Sequence, residues 1–242
     1  EILRLIGTYT NSTLGWDEDP VAKDLVVHLY RYLGEVKREM CSLSCERTAI
    51  FDNSNFRSAV MGYLYDTDTT IQEFGPINCW DVSGVTDMAG LFARERFNED
   101  IGCWDTSNVV TMKSMFHGVN FNQDITAWDV SSVTDFTDTF RASLFNQDIR
   151  SWDVSNVTSF YRTFLSSKFN HDLTHWDVSS APEVRQMFYR AGAFNQDMCA
   201  WASKMNPGAM MNYMFVESGC EYNVGDPSLT TDPPGPFCFA CT

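Results

Sequence analysis

The sequence predicts an α/β repeat solenoid, a stack of short parallel strands and short helices preceded by a helical N-terminal region. Two observations carry this. Tryptophan recurs at Trp80, Trp104, Trp128, Trp152, Trp176 and Trp201, four steps of 24 residues and one of 25, and a fixed period of 20 to 50 residues is the signature of a repeat architecture. Around each tryptophan the same phrase returns, fullest in Phe121-Asn122-Gln123-Asp124-Ile125-Thr126-Ala127-Trp128-Asp129-Val130-Ser131. A seventh tryptophan, Trp16, lies outside the array.

In chain order, residues 1–53 form an N-terminal extension. It opens with the apolar Ile2-Leu3-Arg4-Leu5-Ile6, read as a strand. Asp19-Pro20 then starts a helix, with aspartate as cap and proline in the first turn, where a missing N–H costs nothing. Val21, Leu25, Leu29, Leu33, Val36 and Met40 give that helix one apolar stripe. Residues 54–70 read as a helical cap, with Asn53 or Ser54 at its start and Phe56, Val60, Tyr63 and Leu64 on one face. Covering a solenoid end keeps it soluble.

Residues 71–216 hold six units, each in two parts. In Asp124–Trp128 the polar-bounded stretch reads as a short strand, with Ile101, Ile125, Ile149, Leu173 or Met198 three before the tryptophan. The remainder places apolar residues five, eight and twelve after it, as in Val133, Phe136 and Phe140. That spacing predicts a short helix capped by Ser83, Ser107, Ser131, Ser155 or Ser179, and Pro182 fits its first turn. Stacked at about 4.8 Å, six units would make an array roughly 30 Å long with Phe, Ile, Trp and Val ladders inside. Residues 217–242, with Asp232-Pro233-Pro234-Gly235-Pro236, read as a disulfide-tied C-terminal tail over the last unit.

The net charge of −15, from 32 acids against 17 bases, argues against nucleic acid and acidic membrane as partners. No apolar run approaches the roughly 18 residues of a membrane span, so no membrane insertion is expected. Eight cysteines, namely Cys41, Cys45, Cys79, Cys103, Cys199, Cys220, Cys238 and Cys241, point to disulfides in an oxidising compartment. The chain begins at Glu1 rather than Met, as a secreted chain already cleaved of its leader would, and Asn11-Ser12-Thr13 is a glycosylation sequon in keeping with secretion.

The units Phe145-Asn146-Gln147-Asp148-Ile149 and Trp152-Asp153-Val154-Ser155-Asn156-Val157-Thr158 resemble the BspA-like surface-protein repeat, a leucine-rich-repeat relative of secreted and cell-surface proteins of bacteria and microalgae. The likeness covers about 60% of the chain and makes the expected fold leucine-rich-repeat-like. The segment before Trp80 and the ending Gly235-Pro236-Phe237-Cys238-Phe239-Ala240-Cys241 look like those of microalgal members. The resemblance implies an extracellular adhesion or wall protein without catalytic residues.

Candidate sites are few. One carboxylate ladder, Asp100, Asp124, Asp148, Asp172 and Asp197, and a second, Asp81, Asp105, Asp129, Asp153 and Asp177, read first as turn caps. The alternative for the first ladder is calcium, because carboxylates stacked about 5 Å apart repel. Asn98, Asn122, Asn146, Asn170 and Asn195 read as a structural amide ladder. His171 and His175 flank the strand segment and would lie about 13 Å apart, too far to share a metal. The four C-terminal cysteines could hold zinc, yet secretion favours two disulfides. Cys79 and Cys103 each directly precede a repeat tryptophan, so stacking is expected to bridge them. Asn156 starts a second sequon, generated by the repeat itself. Nothing resembles a nucleophile elbow, a phosphate loop or a metalloprotease helix, so an enzyme is not expected and no cofactor is implied.

Two function classes remain. One is a secreted structural or adhesive surface protein that self-assembles into a fibre or matrix through Ile2, Leu3, Leu5 and Ile6, with cell-wall glycan or other surface proteins as further partners. The other is a receptor-like module that binds glycan or protein on the sheet face.

Overall fold

The computed structural model describes residues 49–223, 225–231 and 234–241, together with Tyr32, Val36 and Cys45. Tyr32 and Val36 are helical, the first exposed and the second half-buried. Most of the expected helix from Pro20 to Met40, the apolar Ile2–Ile6 segment and Asn11 lie outside the described residues.

A short strand β1 (Ile50–Asp52) is followed by helices α1 (Phe56–Tyr65) and α2 (Thr67–Phe74), a 3-10 turn (Ile77–Cys79) and strand β2 (Asp81–Gly84). β1 pairs in parallel with β2, in the register Ile50↔Asp81 and Asp52↔Gly84. This pairing explains Gly84, which stands where later units carry Asn108 or Asn156: a Cβ there would lie 2.7 Å from the Phe51 carbonyl oxygen. α1 buries Phe56, Ala59 and Val60. Phe56 packs edge-on against Trp104 at 5.4 Å, and Phe51 lies 4.7 Å from Trp80. The helical cap is therefore longer than the expected 54–70 and contains two helices. Its first residue follows Asn55, whose Oδ1 accepts the Asp52 N–H at 2.9 Å, rather than Asn53 or Ser54.

Asn53 serves the array instead. Its Oδ1 accepts the N–H groups of Thr86 (3.0 Å) and Asp87 (3.1 Å). In later units the residue equivalent to Thr86 donates to the unit before it, Val110 to Thr86 and Thr134 to Val110. Asn53 thus satisfies the open N-terminal edge. Asp226 does the same at the other edge, accepting from the Tyr213 N–H and from Asn212 Nδ2. Unpaired edges invite pairing with another chain, and both of these are closed by side chains of flanking segments.

Between the edges, parallel bridges join Asp87, Thr111, Asp135, Ser159, Glu183 and Met210 in succession. The backbone then alternates. In the third unit, Phe136, Asp138, Phe140 and Ala142 donate to the unit that follows, while Thr139, Arg141 and Ser143 donate three residues back within their own unit.

These turns correct the reading of the unit. Residues expected to form a capped helix form consecutive turns, and among the described residues the repeated parallel bridges fall in this half rather than in Asp124–Trp128. The spacing of Val133, Phe136 and Phe140 suits a helix equally well, so periodicity cannot separate the two. The backbone does separate them, because two residues per unit, four apart, have φ between 52° and 70°. Among these are Gly90, Gly118, Asp138, Ala142, Arg162 and Arg190. The serines expected as helix caps donate their N–H groups to the preceding aspartates, as Ser131 does to Asp129 Oδ1 at 3.0 Å. Pro182 is not a first-turn proline. It occupies the position from which Thr134 and Thr158 donate to the previous unit, and it removes one rung.

The core is a set of ladders. Phe92, Phe116, Phe140, Phe164, Phe188 and Phe215 stack with centroids 5.5–5.8 Å apart. Phe97, Phe121, Phe145 and Phe169 form a second stack at 6.0–6.3 Å. Four of the six repeat indoles donate along the array, Trp104 Nε1 to Ile77 O at 2.8 Å, Trp128 Nε1 to Ile101 O at 3.1 Å, Trp176 Nε1 to Ile149 O and Trp201 Nε1 to Leu173 O, while Trp80 Nε1 reaches Gly75 O. Trp152 Nε1 has no such partner among the described residues.

Three disulfides tie the ends: Cys45–Cys79, Cys199–Cys241 and Cys220–Cys238. Cys103 is disulfide-bonded as well. The expected Cys79–Cys103 bridge is therefore wrong. β1 runs beside the first unit, with the Ala49 carbonyl accepting the Asp81 N–H at 2.8 Å, and this brings the Cys45 Cα to 5.6 Å from that of Cys79. The C-terminal tail folds back so that Phe237 and Cys238 are fully buried, and Phe237 O accepts the Met198 N–H at 3.1 Å.

Candidate functional site

The repeated polar residues turn inward on the array's own backbone. Asp100, Asp172 and Asp197 each accept the N–H two residues on, at 2.8–2.9 Å. Asp124 adds the Thr126 hydroxyl at 2.6 Å, and Asp148 adds Arg150 Nε. The second ladder behaves alike: the Ser179 hydrogen bonds hold the Asp177 carboxyl below its ordinary value. These are the turn caps of the first reading. Among the described residues, no group of three or more His, Cys, Asp or Glu is placed to hold a metal ion.

The amide ladder also binds along the array, but to backbone. Asn98 Oδ1 accepts the Asn122 N–H, Asn122 that of Asn146, Asn146 that of Asn170, and Asn170 that of Asn195, each at 2.8 Å. His171 stands where neighbouring units have Gln147 and Gln196, and its Nε2 meets Asn146 O at 3.0 Å. Asn156 is exposed, and its Nδ2 donates to Ser131 O at 2.8 Å. Asn11, Cys41 and the assembly residues Ile2, Leu3, Leu5 and Ile6 lie outside the described residues.

A different set of positions does not repeat. These lie nine, ten, thirteen and fourteen residues after each tryptophan, two further on in the last unit. They follow the bridge ladder and include both left-handed residues of every unit. In a chain of net charge −15, these positions hold six bases against two acids.

Asp138, whose side chain is 9% exposed, anchors two of the bases: Arg162 Nη2 at 2.8 Å and Arg141 Nη1 at 3.4 Å. The Arg162 guanidinium lies 4.4 Å above the Tyr161 ring, and that of Arg185 lies 5.3 Å from the same ring. Arg162 Nε is buried without a hydrogen-bond partner among the described residues. Glu183 grips Arg185 through both its oxygens and holds its pKa above the ordinary value. Arg190 lies 5.0 Å over Tyr189 and pairs with Glu217 at 2.9 Å. Tyr161, Arg185, Gln186, Asn212 and Tyr213 line a depression of about 290 Å³ on this face. At its other end, burial and the neighbouring Arg141 hold His117 below its ordinary value of 6.5. Arg94 and Arg162 act in the same direction, and Asp138 opposes them.

Sequence reading missed this face because it sought what recurs. Aligning the units and asking which positions do not recur would have exposed it.

The family described as "Mycoplasma protein of unknown function, DUF285" matches residues 59–167 and 120–223. That match spans the array and is consistent with the BspA-like resemblance of its repeat. No curated protein and no solved structure matches the chain.

Proposed function

Since the chain belongs to the DUF285 family, we propose that it is a secreted surface protein, structural and adhesive, whose six units form a leucine-rich-repeat-like solenoid that acts as a rigid body presenting a binding face. The observation that carries this reading is a division of labour. Recurring side chains (the phenylalanine, tryptophan, asparagine and aspartate ladders) are satisfied within the array, while the positions free to vary collect arginine and tyrosine on one face. A disulfide-tied chain with no helix among the described residues long and apolar enough to cross a membrane fits an extracellular or cell-surface location.

Assembly is the second half of the reading. Asn53 and Asp226 close the two edges, so units of different molecules do not extend one another by strand addition. The connector is instead the apolar Ile2-Leu3-Arg4-Leu5-Ile6 arm, seeking an apolar groove on a second copy. Electron microscopy and light scattering of the native protein, and of one lacking residues 1–18, test this. Filaments that vanish with the arm support it. Filaments that persist, or a strictly monomeric parent, overturn it.

A further inference from the structure

We infer that the arginine–tyrosine face over the fourth to sixth units binds an anionic polysaccharide, sulfated or carboxylated. This rests on the adhesive part of the reading above and not on the assembly part. Four observations carry it.

The first is charge. Arg162, Arg185 and Arg190 stand on one face of a strongly acidic chain, and the guanidinium fork matches sulfate and carboxylate geometry. The second is ring chemistry. Tyr161 and Tyr189 carry guanidiniums over their rings and hold them at the surface, while Tyr213, 55% exposed, offers a planar face for the apolar side of a sugar ring beside these anion-binding groups. The third is shape. The depression lined by Tyr161, Arg185 and Tyr213 crosses from one unit to the next and is open, which suits an extended polymer better than a small molecule requiring an enclosing cleft.

The fourth is strain. Arg162, Arg190 and Tyr213 have φ of 58°, a left-handed backbone that glycine adopts readily and that strains a bulky side chain. Two other units use glycine at equivalent positions, Gly90 and Gly118, so the backbone accepts it. Large side chains kept at strained positions point to a role other than stability. The ion pairs with Asp138, Glu183 and Glu217 hold the guanidiniums in place while leaving further N–H groups of each fork for a ligand.

The test is calorimetric titration of the intact chain, and in parallel of the chain lacking residues 1–18, with dextran sulfate, polygalacturonate, neutral dextran and polyglutamate at low and physiological salt. Binding to one or both anionic polysaccharides, with neutral dextran silent and polyglutamate weaker, is expected. Arg162→Gln, Arg185→Gln and Arg190→Gln combined should weaken binding at least tenfold, whereas Arg96→Gln, Arg150→Gln and Lys168→Gln, an equal loss of charge elsewhere, should change it less than twofold. Arg190→Gly guards against misfolding: it should hold or raise the melting temperature while losing affinity. Equal weakening by both triple variants, tighter binding of polyglutamate, or no binding to either anionic polysaccharide each overturns the proposal. Light scattering without ligand scores assembly separately, so failure of either reading leaves the other intact.

Discussion

Asn122 serves its neighbouring unit twice: its Oδ1 accepts the Asn146 N–H at 2.8 Å, and its carbonyl oxygen accepts Gln147 Nε2 at 2.9 Å. The first bond needs the side chain and the second does not. Asn122→Ala should therefore cost about 1 kcal/mol, the net worth of one hydrogen bond. Asn122→Asp, which keeps the acceptor, should cost less. Urea unfolding ranks the three proteins, and an alanine variant with an unchanged midpoint would remove the amide ladder from the account of stability.

The Cys45–Cys79 bridge closes a 34-residue separation between the N-terminal segment and the first unit. On the chain-entropy estimate a loop of this length contributes about 4 kcal/mol. Cys79→Ser should lower the melting temperature and expose the segment before β1 to protease, leaving the C-terminal bridges intact. Non-reducing peptide mapping should recover a fragment joining Cys45 to Cys79. A fragment joining Cys79 to Cys103 would contradict the fold at its N-terminal edge.

What the sequence made legible was the ladders, because each is written by one side chain every 24 residues. Trp128, Ile125, Asn122 and Phe145 could be assigned to inter-unit stacks without knowing the backbone between them. The backbone itself was hidden. Val133, Phe136 and Phe140 satisfy both a helix and a run of turns, and Asp138 and Ala142 give no hint that they are left-handed. Only Gly90 and Gly118 did, and a glycine in two units of six reads as noise. The Cys45–Cys79 pairing depended on the register of β1 against β2, which local pattern does not encode. The arginine–tyrosine face was overlooked for the opposite reason to the ladders, since its information lies in the differences between units.

The left-handed positions make a reciprocal prediction. Ala142 has φ of 52° and is exposed, while Gly90, at φ of 63°, has nothing within 4 Å of where a Cβ would stand. Strain costs about 1–2 kcal/mol for a non-glycine residue there, and glycine costs about 0.5–1 kcal/mol through the unfolded chain. Ala142→Gly should be neutral to stabilising by about 1 kcal/mol, and Gly90→Ala should destabilise by a similar amount. In an α-helix both signs would reverse. Thermal melts of the two variants thus test the turn assignment itself.

His117 supplies the pH dependence. Burial, and then Arg141, hold its pKa below the ordinary 6.5; Arg94 and Arg162 add to this and Asp138 works against it. The folded chain therefore favours the neutral imidazole, and below 6.5 the unfolded chain binds more protons. Stability from this group is fully present above the unfolded value and is lost as pH falls from there through the depressed folded value. The ring is only partly buried, so the effect should be less than about 1 kcal/mol after solvent screening. His117→Gln keeps a polar side chain without the titration. Between about pH 7.5 and about pH 5, which brackets an ordinary histidine, the parent should lose more stability than the variant. Equal losses would mean that the arginines around His117 are too well screened to act on it.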